Sequence, residues 1–242
     1  MIPLSDSNPT RRVPFVNWLL IAANVLIFLY EINLPARQLD RLFLSYGVIP
    51  NNILSAAGQP ADAALSVWTT LFTSQFLHAG WAHIIGNMLF LWVFGDNIED
   101  TLGHFVYLAF YLASGALAGL TQVFVQGASG IPAIGASGAI AGVLGGYLLL
   151  FPSARIRILI PLFFYFTTMQ LPALIVIGWW FIQQFFYGVG ALTAVAQGGI
   201  AFWAHIGGFV AGLVLILPFI GRARRQKQSP AFYADNYFDR RF

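Results

Sequence analysis

The sequence predicts an all-α, polytopic membrane protein built as a bundle of six transmembrane helices. Three observations predict it. The chain is 58% hydrophobic and only 9% charged, with a mean hydropathy of +0.74, whereas a soluble domain carries about 25% charged residues. Six apolar runs approach the ~20 residues a helix needs to cross a hydrocarbon core about 30 Å thick. The twelve Lys and Arg fall where a six-span topology puts them, since basic residues accumulate in cytoplasmic loops.

Taken in order, residues 1–13 are polar and form a cytoplasmic N-terminal segment. The run 14–30 follows Arg11 and Arg12 and lacks a small-residue cleavage site, so it reads as a retained first span rather than a cleaved leader. A long mixed loop, 31–82, carries amphipathic pieces at 39–46 and 67–76 that suit the membrane interface. The remaining spans are 83–98, 103–125, 137–151, 171–189 and 201–220. The segment 156–170 is apolar enough to tempt a seventh, but it is short, carries Pro161 and lies between Arg157 and Pro172.

Charge arbitrates. With six spans and a cytoplasmic N-terminus, only Arg37 and Arg41 lie outside, whereas a seventh span would export the basic tail. The span-bearing domain therefore runs over 14–221. Residues 222–242 form a cytoplasmic tail, basic and then aromatic, able to touch anionic lipid. No internal repeat is visible. The chain has no cysteine, which excludes a disulfide framework, a thiol nucleophile and a Cys-ligated metal.

The fourth span is the shortest: at 1.5 Å per residue it covers roughly 22 Å of the ~30 Å core. Its C-terminal end reaches the cytoplasmic interface at Pro152 to Arg155. Its first residue, Ser137, then stops roughly 8–10 Å below the outer surface. A hydroxyl at a helix N-terminus meets unpaired N–H groups and the positive end of the dipole, the geometry an acyl-transfer oxyanion needs.

Ionisable side chains inside a span are costly and mark function by default, and His205 is such a residue in the sixth span. A hydroxyl and an imidazole are the minimum pair for nucleophilic catalysis. Gly138, Gly142 and Gly146 on one span, and Ala204, Gly208 and Gly212 on the other, repeat every four residues. Two such faces pack closely enough to bring His205 within reach of Ser137. The competing readings are a small-residue packing face for Ser137 and a backbone-bonded structural histidine for His205.

On the second span His83 and Asn87 share a face at i, i+4, where either can donate to an oxyanion; helix–helix hydrogen bonding is the alternative for Asn87. No third ligand or HExxH pattern supports a metal site. His78 and His104, near span ends, read as interfacial. Asp96, Glu99 and Asp100 cluster at the cytoplasmic end, away from Ser137, while Glu31, Asp40 and Asp62 fall in the outer loop. The site offers a Ser–His dyad.

The ordered set FLHAGWAHIIGNM (76–88), GASG (135–138) and AHIGG (204–208) resembles the rhomboid intramembrane serine proteases. The resemblance runs from about the second span to the sixth. It implies Ser137 as nucleophile, His205 as general base, and His83, Asn87 and the Ser137 backbone N–H as oxyanion donors. It also implies, as partners, single-span membrane proteins cut in or near their transmembrane segment, with no cofactor, metal or nucleic acid. Thr69 follows Trp68 where family members often carry Arg, and Ala141 stands where some carry an aromatic supporting the histidine.

Residues 188–199, Gly-rich and charge-free, are expected to roof a wet cavity. The fifth span, with Trp179, Trp180, Phe181, Phe185 and Phe186, is expected to act as a lateral gate. The lack of a transit peptide fits a prokaryotic plasma membrane. A client-binding protein without activity and a transporter are the alternatives. Retention of Ser137 and His205 disfavours the first, and the lack of repeats and intramembrane acids disfavours the second.

Overall fold

The computed structural model describes residues 2–56, 61–162, 165–193 and 201–227. In chain order these form β1 (Ile2–Asp6), α1 (Phe15–Glu31), α2 (Ala36–Tyr46), α3 (Pro50–Ser55) and α4 (Ala61–Thr73), with a 3-10 turn at Ser74–Phe76. There follow α5 (Trp81–Leu102), α6 (His104–Val125), α7 (Ser137–Leu150), β2 (Arg155–Leu162), β3 (Tyr165–Pro172), α8 (Ala173–Thr193), α9 (Phe202–Leu215) and α10 (Ile220–Lys227). The molecule is a mostly helical, multi-span membrane protein.

Among the described residues three helical stretches, His104–Val125, Ala173–Ala191 and Phe202–Ala223, are long and apolar enough to cross a membrane. Ala64–Phe76 and Trp81–Leu102 pass that test as a pair bent by 83°. Phe15–Glu31 and Ser137–Leu150 are shorter apolar helices.

The all-α expectation needs correction. Three strands form an antiparallel sheet in the order β1-β2-β3. The segment that tempts a seventh span is the β2–β3 hairpin, registered from Arg155 opposite Pro172 to Leu162 opposite Tyr165. Its physical reason is a period of two: Ile156 and Ile158 are fully buried while Arg155 and Arg157 are exposed, the alternation of a strand with one wet face. Pro161 lies beyond the stretch that β1 pairs, where a missing donor is tolerated. The polar N-terminal segment supplies β1, so it is part of the fold.

The described residues of the loop 31–82 include three helices, α2, α3 and α4. Of the two amphipathic pieces, α2 lies wholly at the surface, whereas α4 and its following turn bury Thr70, Leu71, Ser74 and Gln75.

At the centre stands α7, with every residue from Gly138 to Tyr147 buried; a helix apolar all round belongs in an interior. It packs on α9, α6 and α5. Gly208 and Gly212 make the α9 approach possible: a Cβ on Gly208 would lie 2.1 Å from the Gly138 carbonyl oxygen, and one on Gly212 would lie 2.0 Å from that of Gly142. The third contact uses Gly145, whose Cβ position lies 2.3 Å from the Phe209 carbonyl oxygen, while the neighbouring Gly146 faces Phe110 and Ile216. Ser114 and Ala118 of α6 back Gly142 and Gly138.

At the opposite end from Ser137, Glu99 caps α1 from a distance. Its carboxylate accepts the Val16 N–H at 3.0 Å and the Asn17 N–H at 2.7 Å, satisfying two orphan donors of that helix start. His104 Nδ1 lies 2.5 Å from the same carboxylate, and Arg11 pairs with Asp100 at 3.4 Å. These acids hold the bundle together at its sheet-bearing end.

Candidate active site

Three helix starts converge on one spot: Ser137 is the first residue of α7, His83 the third of α5 and His205 the fourth of α9. The glycine contacts between α7 and α9 bring the first and last together. His205 Nε2 lies 2.7 Å from Ser137 Oγ, and His205 is buried.

The histidine is held on its other side by α8, which packs chiefly on α9. Gln184 Oε1 lies 2.7 Å from His205 Nδ1. Trp180, one turn earlier on α8, places its ring centroid 5.9 Å from the imidazole, and Phe202 meets it edge-on at 6.5 Å. The start of α9 is tied to α6, since the Ala204 N–H donates to Gln122 Oε1 at 3.2 Å.

His83 and Asn87 face the backbone leading into Ser137. Gly135 has φ +123°, and a Cβ there would lie 2.6 Å from His83 Nε2 and 3.7 Å from Asn87 Nδ2. The Gly135 N–H donates to the Ser74 carbonyl at 2.9 Å, which fixes this turn against the end of α4. Asn87 Nδ2 also lies 2.9 Å from His78 Nε2; an amide nitrogen only donates, so His78 Nε2 accepts and one Asn87 hydrogen remains to point elsewhere.

His78 is 1% exposed, and its ring packs edge-on to His83 at 4.9 Å. Its backbone N–H donates to the Glu31 carboxylate at 3.2 Å, so an acid expected in the outer loop sits buried behind the site. His104 is partly exposed at its helix end, bonded to Glu99.

Of the gate aromatics, Trp179, Phe185 and Phe186 are exposed, whereas Phe181 stacks on Phe209 at 4.4 Å and Trp180 faces the histidine. Residues 194–199 of the expected roof and 228–242 of the tail lie outside the described residues.

Sequence reasoning missed Gln184, Gln122 and His78. The rule that exposed His205 applied to Gln184 as well, an amide within an apolar helix. What the sequence hid was helix rotation: Ala173, Ile177, Gln184 and Gly188 are buried, a face that the surrounding aromatics obscure.

Fold and site together define a multi-span membrane protein that gathers a hydroxyl, imidazoles and amides at the converging ends of its helices. The rhomboid domain model matches residues 65–222, well over half the chain. The presenilin-associated rhomboid-like protein, mitochondrial, of Homo sapiens is 30% identical over 187 residues, covering 73% of this chain and 45% of that protein. The rhomboid protease GluP of Bacillus subtilis (strain 168) is 37% identical over 136 residues, 56% of this chain and 24% of the relative. RHOMBOID-like protein 5 of Arabidopsis thaliana is 29% identical over 163 residues, 58% and 52%. The chain thus spans about half the length of these relatives or less. It belongs to the rhomboid family.

Proposed function

We infer that this chain is an intramembrane serine endopeptidase that cleaves single-span membrane proteins in or near their transmembrane segment. The observation that carries the reading is the 2.7 Å contact between Ser137 Oγ and His205 Nε2. Ser137 is the nucleophile and His205 the general base. As the Oγ–carbon bond forms, the hydroxyl proton passes to Nε2. Negative charge then develops on the former carbonyl oxygen. The Ser137 backbone N–H, the remaining Asn87 amide hydrogen and His83 are the donors assigned to it, helped by the converging positive helix ends. Collapse breaks the carbon–nitrogen bond, His205 returns the proton to the leaving amine, and water then releases the acyl group by the same path.

In this reading α1, α5, α6, α7, α8 and α9 are the six crossings, over 14–221, with both flanking segments cytoplasmic. Helix α7 is 14 residues long, about 21 Å at 1.5 Å per residue, so Ser137 lies below the outer surface of a core about 30 Å thick. A substrate enters laterally past α8, whose exposed Trp179, Phe185 and Phe186 face lipid. Crosslinking α8 to α5 is expected to stop cleavage of a membrane substrate; unimpaired cleavage refutes the gate.

The dyad is tested by labelling the detergent-solubilised protein with a serine-reactive fluorophosphonate. Labelling of the parent, lost in both Ser137→Ala and His205→Ala, is the expected result. An unlabelled parent, or undiminished labelling in both variants, overturns the assignment.

A further inference from the structure

We propose that Gln184 is a positioning residue that sets the tautomer of His205, standing where the acid of a Ser-His-acid triad stands. The inference rests on the dyad reading above. The Gln184 oxygen 2.7 Å from Nδ1 can only accept a hydrogen bond. Nδ1 of the neutral ring therefore carries the proton, and Nε2 presents its lone pair to the Ser137 hydroxyl 2.7 Å away. Without that acceptor the ring is free to protonate on Nε2 instead. In that form it donates to Ser137 and cannot take its proton, the fault that follows when a triad loses the group orienting its histidine.

The surroundings fit an orienting role. Gln184 is buried at 9% exposure, and Trp180, four residues earlier, covers the ring from the same face of α8. The ring contacts of the imidazole come from Trp180 of α8 and Phe202 of its own helix, and its Nδ1 is held from α8. A neutral amide orients the ring without stabilising the imidazolium as a carboxylate does. His83 of α5 is the other titratable group acting on the imidazole among the described residues. Ser137 of α7, Phe202 of α9 itself, and Gln184 and Trp180 of α8 bring no charge. Since the amide comes from α8, any outward movement of that helix also releases the tautomer, tying the base to the position of the proposed gate.

The test follows fluorophosphonate labelling and cleavage of a single-span substrate across about pH 5–9, where imidazole titrates. The proteins compared are the parent, Ser137→Ala, Gln184→Leu and Gln184→Glu. Gln184→Leu keeps the volume but removes the acceptor. It is expected to lower kcat at least about 10-fold, within the ~10²–10⁴-fold that a positioned base contributes, with KM unchanged. Gln184→Glu restores the acceptor and adds a charge that favours the imidazolium, so kcat recovers and the acid limb of the profile moves to higher pH. A packing role leaves the ring tautomer of Gln184→Leu the same as in the parent.

Nitrogen-15 spectra of ring-labelled histidine read the tautomer independently of activity: Nδ1–H in the parent, a mixture in Gln184→Leu. Parental kcat in Gln184→Leu, an unmoved acid limb in Gln184→Glu, or an Nε2–H ring in the parent overturns the assignment. A parent that labels no faster than Ser137→Ala instead removes the dyad, and the role of Gln184 with it.

Discussion

Two residues before Ser137 the backbone turns through a conformation that glycine alone holds without strain. Gly135 has φ +123°, and its missing side chain leaves the space that His83 Nε2 occupies. Gly135→Ala meets both obstacles: a strained backbone, costing about 1–3 kcal/mol, and a methyl pressed against the imidazole. The turn and His83 must then shift together. Removing one oxyanion donor lowers kcat about 10²–10³-fold, and a fall approaching that size is expected for Gly135→Ala, with the helical circular dichroism retained. Steady-state cleavage of a membrane substrate, read beside the spectrum, checks it; a parental kcat refutes the placement of His83. The GASG run made this glycine visible in sequence. That it makes room for a histidine fifty residues earlier required the fold, because no local pattern encodes which side chain fills the space above a glycine.

At the scale of elements, the α7–α9 contact positions the candidate site. A Cβ at Gly208 or Gly212 would fall about 2 Å from a backbone carbonyl of α7, and a backbone cannot swing aside as a side chain does. Gly208→Ala and Gly212→Ala must therefore push the helices apart. Overpacking of this kind costs about 1–3 kcal/mol, and the Ser137–His205 bond has little slack at 2.7 Å before it lengthens past hydrogen-bonding range. Both variants are expected to lose fluorophosphonate labelling and to melt at lower temperature. Gly178→Ala on α8, with open space around the added methyl, is expected to do neither. Equal behaviour of all three variants would show that the close approach does not hold the dyad.

The four-residue glycine spacing made this contact legible from sequence, and the apolar runs located the helices to within a few residues. Two features stayed hidden for physical reasons. The shift from Gly146 to Gly145 in the third contact reflects crossing geometry, which a repeat does not specify. Length, Pro161 and charge balance argue against a seventh span at 156–170, where the β2–β3 hairpin lies, but none of them distinguishes a short buried strand from a helix segment; only the alternation Arg155, Ile156, Arg157, Ile158 does that.

Across the whole molecule, polar groups collect at the two ends of the bundle and serve different purposes. The end bearing Ser137 holds mobile-proton chemistry in the proposed reading. The other end is a structural staple in which β1 pairs with β2, Glu99 caps α1 and the N-terminal segment reaches the core. Tyr147 of α7 donates its hydroxyl to Asp6 Oδ2 and accepts from Asn8 Nδ2 at 2.8 Å, so the central helix is fastened to the sheet through its buried tyrosine.

Burial pushes Asp6 up to about 6, against the opposing hydrogen bonds of Tyr147 and Asn8. The folded protein therefore holds the Asp6 proton more tightly than the unfolded chain, whose carboxyl keeps its ordinary value of 3.8. The resulting stabilisation is complete below the unfolded value and is lost as pH rises through the folded one. Asp6→Asn keeps an acceptor for Tyr147 and removes the titration. Thermal unfolding in detergent is expected to show Asp6→Asn above the parent at about pH 7, where the parent must keep a desolvated carboxylate. As the pH falls towards about 4 the gap is expected to narrow, because the parent then carries the proton itself. A gap between the two melting temperatures that stays constant over this window would mean that the Asp6 carboxyl is solvated and adds no pH-dependent share to the staple's strength.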